Sequence, residues 1–387
     1  MGSVNAMRPT SEGELVEIIG AAGGAGARLR IRSGGSKDGV GAASSAGVLD
    51  MSGFSGIVDY DPSELVLTAH AATPLSDVMA AVAAEGQALA FDPFDHAPLF
   101  GHAPGAATLG GVIAGNVSGP RRLARGAARD HLLGFVAVSG RGERFIGGGK
   151  VVKNVTGYDL PKLMAGSWGR LAALTELTVK VLPRPRTAAM LRIHGLDAAA
   201  AVAAMAQAMG SPADVAAARH VPEGKSGPAV TELLIDGFPA SVSARLGALA
   251  DLLVGAVGSA RIETIAADAS AWPALDLVRD MPSEHALWKV SLRPSAAPGF
   301  VAQAEALGAQ WAMDWAGGLV WVAIDDTTTR VRDLAVMEGG HAALMRAPDV
   351  LRAAVPAFQP APTEVAALEE RVRRAFDPLG VFETGRF

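Results

Sequence analysis

Pro104-Gly105-Ala106-Ala107-Thr108-Leu109-Gly110-Gly111-Val112-Ile113-Ala114-Gly115-Asn116 is the stretch on which the fold turns. A dinucleotide diphosphate carries negative charge that a protein meets with convergent backbone N–H groups, and glycine lets the main chain approach closely in conformations other residues resist. A second run of small residues, Arg32-Ser33-Gly34-Gly35-Ser36-Lys37, lies far upstream. Neither is the Rossmann fingerprint, which keeps its glycines in one strand–turn–helix unit with an acidic residue about 20 positions on. Read singly, each loop is as much a surface turn as a phosphate cradle. Read together, they are far less ambiguous.

Working outward, Pro9-Thr10-Ser11-Glu12-Gly13-Glu14 ahead of Leu15, Val16, Ile18 and Ile19 predicts a helix with a hydroxyl cap and an acidic first turn. Residues 28–32 alternate as a strand into the first small-residue loop, and β-like runs follow at 47–51, 56–59 and 65–71. A helix over 74–85 and strands at 87–91, 132–139, 143–146 and 174–182 complete this half, with the glycine-rich 147–170 inserted before the last strand. Pro183-Arg184-Pro185-Arg186 ends the run, since proline cannot donate to a ladder and restricts its predecessor, and a domain boundary is placed there. Beyond it, strands at 189–194, 230–236, 286–292, 309–315 and 319–324 alternate with helices at 197–209, 240–256 and 298–307. That pattern predicts an α+β lobe with helices on one face of an antiparallel sheet, and 363–376 reads as an amphipathic helix.

The 387 residues suffice for two cores, half of them are apolar and 19% are charged, the balance of a folded chain. With no cysteine, disulfides, thiol nucleophiles and cysteine-ligated iron–sulfur clusters are excluded from this chain. A net charge of −5 excludes a general nucleic-acid binder. No run reaches the ~18 consecutive apolar residues of a membrane-spanning helix; the alanine-rich tracts at 198–210 and 246–258 read as too short and too weakly apolar. The start lacks the pattern of a signal peptide, so a cytoplasmic chain is expected, any membrane association coming through partners. Met1–Ala6 are set aside from the fold, with Met7 as an alternative start.

The two loops together resemble those of a flavoprotein family in which both cradle the pyrophosphate of one FAD, and the resemblance extends past them. Arg129-Asp130-His131-Leu132-Leu133-Gly134, Gly147-Gly148-Gly149-Lys150-Val151-Val152-Lys153-Asn154-Val155-Thr156-Gly157-Tyr158-Asp159-Leu160, Gly166-Ser167-Trp168-Gly169-Arg170-Leu171, Leu174-Thr175-Glu176 and Phe376-Asp377-Pro378-Leu379-Gly380-Val381-Phe382-Glu383-Thr384-Gly385-Arg386 are similar to segments of the vanillyl-alcohol-oxidase flavoproteins, whose fold is the PCMH-type FAD-binding domain. The likeness covers about residues 8–185 and the last dozen. The resemblance implies an α+β fold: a PCMH-type FAD-binding domain over 7–185 of two α+β subdomains (7–55 and 56–185), a smaller ferredoxin-like α+β cap lobe over 186–345 for substrate or partner, and a helical segment, 346–387, returning to the FAD domain. It further implies that Arg32, Ser33, Gly34, Gly35, Ser36, Lys37, Pro104, Gly105, Ala107, Thr108, Leu109, Gly110, Gly111, Ala114, Gly115, Asn116, Arg129, Asp130, Gly157, Tyr158, Gly169, Leu171 and Thr175 hold FAD.

Two departures sharpen this. Many relatives tether FAD through a histidine in the first loop, but Ser36 stands there, so a non-covalent flavin is expected. The His-x-Gly-Asp-Gly-Asn-x-His metal string of α-hydroxy-acid oxidising relatives is missing, and no metal is expected. Together with Lys-Asn-Val-Thr-Gly-Tyr-Asp-Leu and Ser-Gly-Pro-Arg-Arg, that shifts the resemblance to the smaller FAD-binding subunits of bacterial glycolate oxidases. Such a subunit works beside an iron–sulfur subunit and a second flavin subunit on a small 2-hydroxy acid. A stand-alone FAD-dependent alcohol or hydroxy-acid oxidoreductase and a non-catalytic flavin-binding scaffold are the alternatives.

No catalytic residue is assigned from sequence; His96, His102 and Tyr158 are weak candidates, each balanced by a packing role. The run Arg121, Arg122, Arg125 and Arg129 is read equally as an anion contact or a solvated face, and Lys153, Asp159 and Lys162 share that ambiguity. Trp311, Trp315 and Trp321 read as core, with a partner face as the alternative. His70 reads as core, and His341, between glycine and alanine in a turn, carries no assignment.

Overall fold

A computed structural model of the chain describes residues 6–149, 157–224, 227–258, 261–267, 272–326 and 328–387. The chain divides into two units, one of Met1–Ser118, Gly126–Arg184 and Pro360–Phe387, the other of Gly119–Arg125 and Pro185–Gln359.

The first unit opens on the helix Glu12–Gly24, capped by Ser11, whose Oγ accepts from the Glu14 amide at 3.2 Å, while Glu14 reaches back to the Thr10 amide at 2.7 Å. Leu15, Ile19 and Ala22 recur at helical spacing and are buried against Leu29, Leu49 and Phe382. Strands β1 (Leu29–Arg32) and β2 (Gly47–Asp50) pair in parallel. Five further strands, β3 (Ile57–Asp61), β4 (Val66–His70), β6 (Leu132–Ser139), β7 (Arg144–Gly148) and β8 (Ala172–Lys180), make an antiparallel sheet in the order β3-β4-β8-β6-β7, and β5 (Gln87–Ala88) pairs with β9 (Leu182–Pro183). Helix Leu75–Ala84 and helix Leu109–Ala114 pack their apolar sides, Leu75, Val78, Val82, Leu109, Val112 and Ile113, onto one face of the sheet with Leu67, Leu177 and Val179. Residues 150–156, including Lys153, lie outside the described residues.

The second unit is built on one antiparallel sheet of eight strands, β10 (Thr187–His194), β11 (Ala217–Val221), β12 (Val230–Gly237), β13 (Ile262–Ala267), β14 (Ala286–Ser291), β15 (Gln310–Asp314), β16 (Leu319–Ile324) and β17 (His341–Arg346), in the order β13-β10-β12-β11-β15-β16-β14-β17. Three of these, β11, β13 and β17, were not expected. Helices Ala198–Met209, Pro239–Val257, Ala297–Ala306 and Arg330–Met337 bury their apolar stripes on one face, meeting Leu191, Leu233, Trp288, Val290, Val320 and Leu344. Trp311 and Trp321 are both buried, and Trp311 Nε1 donates to Glu305 at 2.7 Å.

Helix Pro239–Val257 corrects one expectation: by length and composition it is long and apolar enough to cross a membrane. Its buried residues, Val242, Leu246, Leu249 and Leu253, fall on a single stripe that packs into the core of the second unit. That is the pattern of an amphipathic core helix.

Candidate functional site: a two-loop anion cleft in the first unit

The first unit holds an open cleft lined by Ile31 to Asp38, Ala106, Thr108, Gly110, Gly111, Ala114, Gly115, Trp168, Gly169 and Arg386. The two small-residue loops meet in it. A Cβ added to Gly34 would sit 1.9 Å from the Ala106 carbonyl oxygen, and one added to Gly110 would sit 2.7 Å from that of Ala71. Glycine is needed at both positions because main chain lies against main chain.

The two loops do different work. Among the described residues, nothing in the protein accepts from the amides of Gly34, Gly35, Ser36 or Lys37, which leaves a run of open donors at the cleft. The second loop has already spent its amides. Gly105, Ala106 and Ala107 all donate to Asp95 Oδ2 at 2.8, 2.9 and 3.2 Å, Leu109 to Thr73, Gly110 to Ala71, and Gly111 to the Thr108 hydroxyl at 3.2 Å. The expectation of amides converging from both loops therefore changes: the first loop supplies donors and the second supplies room.

Two cations complete the cleft. Lys37 is buried, and burial pushes its ammonium down to about 8, the nearby Arg386 adding to the fall and Asp95 opposing it. Its Nζ lies 3.6 Å from where a Gly111 Cβ would be, so the glycine leaves space above the charge. Arg386, from the C-terminus, donates to the Lys37 carbonyl at 3.2 Å and lies over the Trp168 ring. Burial lowers its guanidinium to about 10, which keeps it charged at neutral pH, and among the described residues its buried Nε has no hydrogen-bond partner. A buried orphan donor beside open amides and a desolvated ammonium calls for an anion. Arg32 and Arg30 instead pair with Asp38, at 2.7 and 3.4 Å, and stiffen the loop.

Of the residues expected to hold the cofactor, Arg32, Ser33, Gly34, Gly35, Ser36, Lys37, Thr108, Gly110, Gly111, Ala114, Gly115 and Gly169 line the cleft, and the others do not. Pro104, Gly105, Arg129, Asp130 and Gly157 are exposed, Ala107, Leu109 and Leu171 are core, and Tyr158 is 91% exposed. Asn116 accepts from the Arg129 amide at 3.0 Å, Asp130 caps its own helix through the Ala127 amide, and the Thr175 hydroxyl donates to Glu12 at 2.8 Å. His96 is buried and stacked on Phe94 with ring centroids 4.7 Å apart, whereas His102 is exposed; neither lines the cleft.

Sequence reasoning missed Asp95, Trp168 and Arg386. Asp95 was signalled by its spacing, an aspartate two residues before a helical turn it caps through the Ala97 amide at 2.9 Å. Its removal should unclamp the second loop: Asp95→Ala is expected to lower stability by about 1.5–3 kcal/mol, the worth of hydrogen bonds to a charged acceptor, and to weaken retention of flavin. Thermal melting with a count of flavin per chain checks this, and wild-type values for both would show that the loop holds itself.

Comparison with known proteins agrees with this geometry. A family model described as "FAD binding domain" matches residues 5–146. Glycolate oxidase subunit GlcE of Escherichia coli (strain K12) is 33% identical over 342 residues, 87% of this chain and 86% of that protein. Glycolate oxidase subunit GlcD of Bacillus subtilis (strain 168) is 35% identical over 146 residues, 37% of this chain and 29% of that one. The solved structure of p-cresol methylhydroxylase with substrate bound superposes at a TM-score of 0.74 with 15% identity, covering 98% of this chain and 88% of that one, which bears out the α+β PCMH-type fold. Two glycine loops, an arginine with an unpartnered Nε and a relative aligned along nearly its whole length lead to one conclusion: the chain is an FAD-binding oxidoreductase of the family of glycolate oxidase FAD-binding subunits.

Proposed function

We propose that this chain is the FAD-holding subunit of a glycolate-oxidase-like complex that oxidises a small 2-hydroxy acid, glycolate to glyoxylate, and hands the electrons to an iron–sulfur partner. What carries the reading is the run of open amides from Gly34 to Lys37 set beside the Lys37 ammonium and the Arg386 guanidinium, whose buried Nε has no partner among the described residues. Those donors fit the diphosphate of FAD, whose negative charge they would share while Gly111 and Gly115 leave room for its oxygens. Bound FAD supplies a two-electron acceptor for the hydride on the carbon bearing the substrate hydroxyl. The residues of this chain bind and orient it, and the absence of a histidine in the first loop supports a non-covalent flavin. A chain with no cysteine has no thiolate ligands for a cluster of its own, which supports an acceptor on another subunit.

The charge on Lys37 makes this reading testable by pH. In the flavin-free protein the folded lysine loses its proton near 8 while the unfolded one keeps it to its ordinary 10.5. The unfolded chain then binds more protons through that window, so stability rises with pH between them. Flavin affinity runs the other way: a diphosphate holds the ammonium charged, so binding above pH 8 takes up a proton and weakens by up to about tenfold per pH unit. Fluorescence titration of FAD from pH 7 to 10 should show this fall for wild type and a flat profile for Lys37→Met. A fall of equal slope in both would remove Lys37 from the site.

The function itself is tested by the visible flavin band of the purified chain before and after anaerobic glycolate, with the iron–sulfur subunit then added. Bleaching by glycolate and recovery on adding that subunit are expected. A band that glycolate leaves unchanged in the assembled complex would favour the scaffold reading instead.

A further inference from the structure

We propose that the second unit carries a binding site for a small carboxylate, formed by Lys289, Arg122 and His341 around the indole of Trp315. Trp288 and Val290 point into the helix-covered core with Val320, Val322, Ala342 and Leu344, so the residues between them point to the other face of the sheet. On that face Lys289 stands opposite Trp321 and Ala343, and Ser291 stands opposite His341. His341 is therefore the diagonal neighbour of Lys289, within reach of a long side chain.

The segment Gly119–Arg125 adds a second cation. Arg121 and Arg125 are tied to Asp236 at 2.8 and 2.9 Å, and Arg122 lies over the Trp315 ring at 4.4 Å, with Lys289 Nζ over the same ring at 5.0 Å. Trp315 is held in place from two sides, its Nε1 donating to the Gly119 carbonyl at 3.0 Å and its amide to Asp314 at 2.8 Å. Trp315 and Ala316 sit at φ values of 50° and 54°, two successive left-handed residues that are not glycine. Backbone held in that region gathers where geometry serves function.

Among the described residues, neither Lys289 Nζ nor the His341 ring makes a hydrogen bond or ion pair. Burial, followed by the charge of Arg122, pushes the Lys289 ammonium down to about 8 against the pull of Asp314; burial, Lys289 and Arg122 together lower His341. Asp314 offsets one positive charge and spends one oxygen on the Trp315 amide. The Lys289 ammonium and the Arg122 guanidinium thus lie over one indole, two cations above a flat apolar floor. A carboxylate on a short carbon stem matches it, the anionic end meeting the cations and the stem the indole. A 2-hydroxy acid belongs to that class, an identification that rests on the function proposed above; the site itself does not need flavin.

Oxalate, a carboxylate with no hydride to give, is the probe. Calorimetric titration of the full chain should show oxalate binding, at least tenfold weaker in Lys289→Met and restored to within threefold in Lys289→Arg, with no heat from neutral ethylene glycol. Equal affinity in wild type and Lys289→Met, or ethylene glycol binding as well as oxalate, would overturn the proposal. Should Lys289→Met not fold, acetic anhydride labelling of the wild-type chain read by mass spectrometry decides: oxalate must slow acetylation of Lys289 several-fold and leave exposed Lys162 unaffected, and no protection refutes the site. Flavin content, read separately by absorbance, tells a failure here from a failure of the flavin assignment.

Discussion

Gly34→Ala, the addition of a single methyl group, is expected to empty the flavin site. The new Cβ would stand 1.9 Å from the Ala106 oxygen and 2.8 Å from its carbon, far inside van der Waals contact and against main chain. Ala106 has no freedom to step back, since its amide and those of Gly105 and Ala107 are clamped by one carboxylate oxygen of Asp95. The first loop must yield, and with it the open amides that face the diphosphate. Overpacking of this kind costs about 1–3 kcal/mol of stability, and flavin affinity should fall at least tenfold, roughly 1.4 kcal/mol or more. Flavin per chain after gel filtration, beside a thermal melt, reads both. Gly20→Ala is the matched control: the site is an exposed helix position with nothing within 4 Å of the new Cβ. There alanine should raise stability by up to about 1 kcal/mol and leave flavin alone. Full flavin in Gly34→Ala would mean that the two loops do not abut.

The cleft was legible because backbone approach leaves a mark in composition. Where one main chain rests on another only glycine fits, so Gly34 and Gly110 announce the contact from sequence without saying what they touch. The division of labour between the loops left no such mark. It depends on Asp95, whose role is set by three amides ten to twelve residues away, and on Arg386, which comes back from the other end of the chain. Resemblance placed Thr175, Asp130 and Tyr158 at the cofactor, yet local demands claim two of them, Thr175 by Glu12 and Asp130 by its helix cap, and Tyr158 stands in the open.

The fold shows the same split between local and distant causes. Helices with a cap and an apolar stripe, such as Glu12–Gly24, could be read directly. Strands β11, β13 and β17 could not, since they carry Ala217-Ala218, Ala266-Ala267 and Ala342-Ala343, and alanine is a helix former that is depleted in strands. Their neighbours decide: Ala217 and Ala218 face Leu234 and Leu233, while Ala342 and Ala343 face Val290 and Lys289. Small residues suit positions crowded by larger side chains across the ladder, and pairing overrides propensity.

Asp236→Ala should be the most destabilising single change in the second unit. Asp236 on β12 is 1% exposed and takes Arg121 Nε at 2.8 Å and Arg125 at 2.9 Å, fastening the Gly119–Arg125 segment to the sheet. Its own carbonyl accepts from Arg245 at 2.7 Å, so the strand is held from two directions at this point. The energetics are asymmetric. Two charges drawn out of water give back little net stability as a pair, but removing one leaves the other buried without its counter-ion, at about 3–5 kcal/mol. For a domain of this size that is roughly 6–20 °C in melting temperature. The asymmetry also supplies the check, because Arg121→Met added to Asp236→Leu removes the carboxylate and the more buried of its two arginines, leaving Arg125, whose side chain is 29% exposed, to solvent, and should recover most of the loss. A melt of Asp236→Ala within 2 °C of wild type would show that water reaches the pair and screens it; a double variant no better than the single would show that the carboxylate acts through the shape of the strand and not through its charge.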